Sequence, residues 1–127
     1  MHEEFGSALR DRRRAAGLSQ RELAARTGLD FSYISKVENG RTPPPAADTI
    51  VAICRVLDSA PEALLALTRK IPSAVHQTVS SSPAAQQFLR KAQEMALTDQ
   101  EWARMLQALR RMRGEGGEGG EDRLRIG

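Results

Sequence analysis

The chain has 127 residues, room for one compact domain and a modest appendage, which makes a large substrate-binding enzyme improbable. Hydrophobic residues at 40% and charged residues at 28% are ordinary for a folding globular chain and exclude wholesale disorder. A formal charge of +3, a pI near 9.6 and a strong excess of arginine over lysine are compatible with a polyanionic partner without demanding one.

Glu3 to Ala16 sets Phe5, Leu9 and Ala16 at helical spacing, and Gly17 ends this first helix. Ser19 and Glu22 form a capping box ahead of Leu23, Ala24 and Ala25, so a second, short helix runs to about Thr27. Gly28 breaks the pattern, Asp30 is placed to cap a third helix carrying Ile34 and Val37, and Asn39-Gly40 ends it. The prolines at 43, 44 and 45 enforce an extended connector.

Ile50, Val51, Ile53, Cys54 and Leu57 then mark a broadly buried fourth helix. Ser59 with Glu62 reads as a further capping box, and Leu64, Leu65 and Leu67 supply a fifth helix. Between Thr68 and Ser82 the composition turns polar, with Pro72 and a serine run, and reads as a linker holding one helical turn around Ser73 to Gln77. Pro83 opens another helix with Phe88, Leu89, Ala92, Met95 and Ala96 on one stripe. Thr98 and Glu101 cap the last, whose apolar face is Trp102, Met105, Leu106, Leu109 and Met112.

The expected architecture is all-α, a five-helix domain followed by a C-terminal helical hairpin. Its boundaries fall at 1–68 for the first domain, 69–82 for the linker, 83–113 for the hairpin and 114–127 for a flexible Gly/Glu-rich tail. Two helices alone cover little apolar surface, so Phe88, Trp102, Met105, Leu106 and Leu109 are expected to form a homodimer interface.

A small Ala24 at the helix crossing and a glycine turn at Gly28 suit a helix-turn-helix unit that leaves Phe31, Ser32, Ser35 and Lys36 facing outward. The run Leu18-Ser19-Gln20-Arg21-Glu22-Leu23-Ala24, then Thr27-Gly28, then Tyr33 to Arg41 through Glu38-Asn39-Gly40, closely resembles the XRE family of Cro and phage-repressor-like regulators. The resemblance covers about residues 5 to 67.

It implies a transcriptional regulator, in the first instance a repressor, bound as a dimer to an inverted repeat in double-stranded DNA. The third helix would lie in the major groove with Phe31, Ser32, Ser35 and Lys36 at base edges, Lys36 suited to guanine and Phe31 to a thymine methyl. Gln20, Arg21, Tyr33, Asn39 and Arg41 would hold the backbone. Arg13 and Glu38 fall where the family often has an ion pair bridging the first and third helices.

Arg10, Arg12, Arg13 and Arg14 read as a solvated basic helix face within reach of phosphate, and the lone Cys54 as a small core hydrophobe. No nucleophile, metal cluster or phosphate-binding loop stands out, so neither an enzyme nor a cofactor is expected. The sequence lacks a signal-peptide pattern and any spanning apolar run, which leads to an expected cytoplasmic location away from membranes. The alternative reading is an antitoxin-like or protease-controlled interaction protein whose C-terminal helices a regulatory partner protein recognises.

Overall fold

A computed structural model describes residues 2–114. Of the tail expected at 114–127, residues 115–127 lie outside the described residues. Among the described residues eight helices follow one another: α1 (Glu3–Ala15), α2 (Gln20–Thr27), α3 (Phe31–Glu38), α4 (Ala47–Val56), α5 (Glu62–Thr68), α6 (Ser73–Ser80), α7 (Pro83–Met95) and α8 (Asp99–Met112). The chain divides into two compact units, with the break between Ser81 and Ser82.

In the first unit, α1 packs on α3 and α5, α2 on α3 and α4, and α4 on α5. Each of α1 to α5 contributes apolar positions its periodicity implied: Phe5 and Leu9, Leu23 and Ala24, Ile34 and Val37, Ile50, Ile53 and Cys54, Leu64 and Leu65 all join one buried cluster. Burial of a side chain the size of Leu23 or Ile34 contributes about 1.5 to 3 kcal/mol. Ala16 is the exposed C-cap of α1 and Leu67 is also exposed, so two expected core positions face water instead.

Short helices need defined ends, and here one device recurs. Leu18 N–H donates to Arg13 O, Leu29 N–H to Ala24 O, Arg41 N–H to Lys36 O, Ser59 N–H to Cys54 O and Lys70 N–H to Leu65 O. Each of these bonds closes a helix C-terminus around a residue of positive φ, namely Gly17, Gly28, Gly40, Asp58 and Arg69. The glycines were legible in the sequence; Asp58 and Arg69 were not, being residues that adopt this conformation at some cost.

Of the expected N-caps, Ser19–Glu22 and Thr98–Glu101 form complete capping boxes, and Ser82 accepts from Ala85 N–H ahead of Pro83. Two others differ. Asp30 occupies the N-cap of α3, but its carboxylate takes a proton donor from Ser32 Oγ at 2.9 Å and makes no capping bond. Ser59 does not cap α5, which starts at Glu62 behind Pro61; its hydroxyl instead accepts from Arg12 Nη1 at 2.8 Å.

The stretch expected to hold one helical turn forms the longer α6. No apolar face announces it, since α6 buries none of its residues. Its start is fixed from outside, by Asp48 of α4, which accepts from both Ser73 N–H at 2.9 Å and Ser73 Oγ. These bonds hold the Asp48 carboxyl below its ordinary pKa. Lys70 Nζ, just upstream, donates to the carbonyls of Pro44 and Pro45 in the connector before α4.

The second unit is thin. Ala92 is the buried residue of α7, and α8 buries none. Phe88 together with Trp102, Met105, Leu106, Leu109 and Met112 surrounds a groove of about 530 Å3 whose lining is almost wholly apolar. Trp102 remains 40% exposed at its edge. Among the described residues no helix is long and apolar enough to cross a membrane.

Candidate nucleic-acid interface

The geometry of α3 is set by a buried ionic knot. Arg13 Nε and Nη2 reach the two carboxylate oxygens of Glu38 at 2.6 and 3.0 Å, and Arg13 Nη1 donates to Leu18 O at 2.8 Å. Gln20 Nε2 adds a bond to Glu38 Oε1 at 2.9 Å. With Arg13 8% and Glu38 2% exposed, this charge pair is a scaffold: the bonds to Glu38 tie α1 and α2 to α3, and the bond to Leu18 ties α1 to the connection before α2. Burial alone would raise the Glu38 carboxyl, but the hydrogen bonds from Arg13 and Gln20 and the charges of Arg13 and Arg10 outweigh it and hold the group below its usual pKa. The bond to Glu38 in turn raises Arg13.

Three of the four arginines on α1 are fasteners, which corrects the expected solvated basic face. Arg13 is buried, Arg12 ties to Ser59, and Arg10 Nη2 donates to Glu38 O at 3.1 Å and Asn39 Oδ1 at 2.9 Å. Their partners sit 25 to 47 positions away, beyond the reach of any local pattern. Arg14 is the exposed member of this run.

Gly6 explains how closely α1 meets the end of α3. A Cβ placed there would lie 2.5 Å from the carbonyl oxygens of both Val37 and Glu38. The sequence offered only a glycine inside a helix as a sign of this approach.

The outer face of α3 is left free of core duties. Ile34, Val37 and Glu38 turn inward, whereas Phe31, Ser32 and Lys36 are exposed and Ser35 is half-buried. The Ser32 hydroxyl donates its hydrogen bond to Asp30, so its outward capacity is that of an acceptor. Asn39 Nδ2 lies 3.5 Å from Ser35 Oγ, too long to immobilise it. Tyr33 is half-buried against the core, and this burial raises its hydroxyl pKa. Arg41 is exposed just beyond the turn that closes α3.

At the other end of α3, Phe31 meets α2. The Arg21 guanidinium carbon rides over the Phe31 ring, 4.3 Å from its centroid. Gln20, expected at a phosphate, has its side-chain amide turned to Glu38, which leaves the backbone N–H at the first position of α2 facing the helix N-terminus. The residues brought together are thus Arg21, Phe31, Ser32, Ser35 and Lys36 along α2 and α3.

Cys54 is fully buried and its thiol is pushed above its ordinary pKa by that burial. Among the described residues no three His, Cys, Asp or Glu side chains are grouped to hold a metal ion.

A short helix, a glycine turn and a second helix whose exposed face is held at a fixed angle define a DNA-docking unit. Residues 4–67 match the family described as helix-turn-helix domain. The chain belongs to this family, in its XRE or Cro and phage-repressor-like branch, whose members bind DNA and are not enzymes.

An HTH-type transcriptional regulator of Sinorhizobium fredii is 37% identical over 91 residues, covering 72% of this chain and 44% of the relative. RghRB, an HTH-type transcriptional regulator of Bacillus subtilis, is 40% identical over 62 residues, covering 49% of this chain and 45% of its own. The chain therefore spans less than half the length of these curated relatives. A solved structure, the restriction-modification controller protein C.AhdI of Aeromonas hydrophila, is 40% identical, with 50% of this chain and 94% of that one covered at a TM-score of 0.46.

Proposed function

We propose that the protein is a transcriptional repressor that binds an inverted-repeat operator in double-stranded DNA as a homodimer, with α3 in the major groove. The observation that carries this reading is the division of labour on α3: one face locked by the Arg13–Glu38–Gln20 knot and the core, the other exposed. A rigid helix presenting Phe31, Ser32, Ser35 and Lys36 suits base edges, where lysine fits guanine acceptors and an aromatic ring fits a thymine methyl. The N-terminal N–H of Gln20, with Tyr33, Asn39 and Arg41, would steady the sugar-phosphate backbone, and Arg41 lies next to the connector pinned by Lys70.

Dimerisation is supported by the apolar groove of α7 and α8. An exposed strip of Phe88, Trp102, Met105, Leu106 and Leu109 is costly in water, and a twofold axis through it buries the same strip from both copies. Two recognition helices would then stand about 34 Å apart, one turn of DNA. As a DNA-binding regulator, the protein would work in the bacterial cytoplasm, independently of membranes and of any cofactor.

The same groove favours one alternative, an interaction protein whose C-terminal helices are recognised by a regulatory partner protein. Selection of bound sites from random double-stranded DNA with the full chain separates the two. Recovery of an inverted repeat with half-site centres about 10 base pairs apart supports the dimeric regulator. Recovery of single half-sites by a monomer points to the alternative.

A further inference from the structure

The Arg21–Phe31 contact joins the first turns of α2 and α3, and both of its members remain exposed. Phe31 is the first residue of α3 and remains 36% exposed despite the guanidinium over it. Arg21 is exposed in the first turn of α2, and among the described residues no carboxylate pairs with it. An arginine meant for a phosphate needs no such support, because a phosphate accepts from many directions and a mobile side chain finds it. A ring that carries a guanidinium does something different: it restrains the position of the fork while leaving its N–H donors open to a planar acceptor pair.

A fork restrained in this way suits a planar pair of acceptors, and in the major groove that pair is O6 and N7 of guanine. The ring that restrains it is itself the group suited to a pyrimidine 5-methyl. Because the guanidinium and the ring are in contact, the two features they address must lie on adjacent bases.

We propose that Arg21 and Phe31 form one reading unit that recognises a guanine neighbouring a thymine, with Arg21 donating to the guanine and Phe31 packing on the thymine methyl. Arg21 thereby specifies sequence instead of gripping the backbone, and Phe31 is both a base contact and the platform that aims it. The inference rests on α3 entering the major groove as proposed above.

The test is site selection by the full chain followed by affinity measurement at one fixed salt concentration, for the native protein, Arg21→Ala, Arg21→Lys and Phe31→Leu. Both residues are exposed, and matching thermal melts verify that each variant folds. The expected result is a selected site with a guanine beside a thymine, and a loss of about tenfold to a hundredfold for that guanine over other bases in Arg21→Ala. Arg21→Lys should lose the same preference, since it keeps the charge and lacks the fork. Uracil in place of the thymine should weaken the native protein several-fold and Phe31→Leu less.

If Arg21→Ala weakens selected and random DNA alike and Arg21→Lys restores the native behaviour, Arg21 is a backbone contact and the reading unit does not exist. A native protein that selects no sequence at all would overturn the proposed function as well, so the two failures are distinguishable.

Discussion

Gly6 and Glu38 show how single residues decide whether α3 is presented correctly. At Gly6 the backbone of α1 approaches the carbonyls of Val37 and Glu38 so closely that even a methyl group does not fit. Alanine is the better helix former in isolation, by up to about 1 kcal/mol, yet here it must push two backbone segments apart. Gly6→Ala is expected to destabilise the fold by about 1 to 3 kcal/mol, as read from denaturant midpoints. Glu38 supplies a pH dependence. Its carboxyl lies below the ordinary value of 4.5 in the folded chain, so its ionised form contributes stability above that pH. That contribution is lost as pH falls through the lower folded value. Melting temperature should therefore drop below about pH 4.5 in the native protein, and Glu38→Gln should be less stable at neutral pH with a flatter acid limb. Equal acid limbs would mean that Glu38 carries no such linkage. The pair itself was legible in the sequence through the family resemblance, whereas Arg10 and Arg12 were not, because their acceptors lie on distant elements.

At the scale of elements, what was legible followed local rules. The capping boxes at Ser19 and Thr98, the serine cap at Ser82 and the glycines closing α1, α2 and α3 are short-range signals, and each formed. What was not legible depended on competing side-chain partners, most of them brought in by the tertiary fold. Asp30 and Ser59 have the right residue types for caps, but nearby Ser32 and distant Arg12 engage their side chains instead. Likewise α6 owes its first turn to Asp48, twenty-five positions away, and its own sequence has no buried stripe to reveal it. The ends of α4 and α5 use Asp58 and Arg69 in the left-handed region, at φ 52° and 57°. Glycine adopts that conformation without the steric penalty of a Cβ. Arg69→Gly is expected to stabilise the first unit by about 0.5 to 1 kcal/mol, offset in part by a freer unfolded chain. A thermal melt that falls instead would show the Arg69 side chain contributing contacts of its own.

For the whole molecule, the first unit has its own continuous core and the second almost none, and in the proposed reading the first would read DNA while the second pairs copies. The apolar strip of α8 is the quantity to perturb. Trp102→Glu with Leu106→Glu should convert a dimer to a monomer in sedimentation at micromolar concentration, and should weaken operator binding without touching α3. A native chain that sediments as a monomer would reassign that strip to a partner protein. The central claim, that the free face of α3 reads base edges, is tested most directly by the affinity of a Lys36→Ala, Ser32→Ala double variant for the selected site and for random DNA at the same salt. The expected result is a loss of about 1 to 3 kcal/mol per contact on the selected site, with relaxed preference at the positions those residues face. Undiminished binding to the selected site by a folded double variant would contradict it.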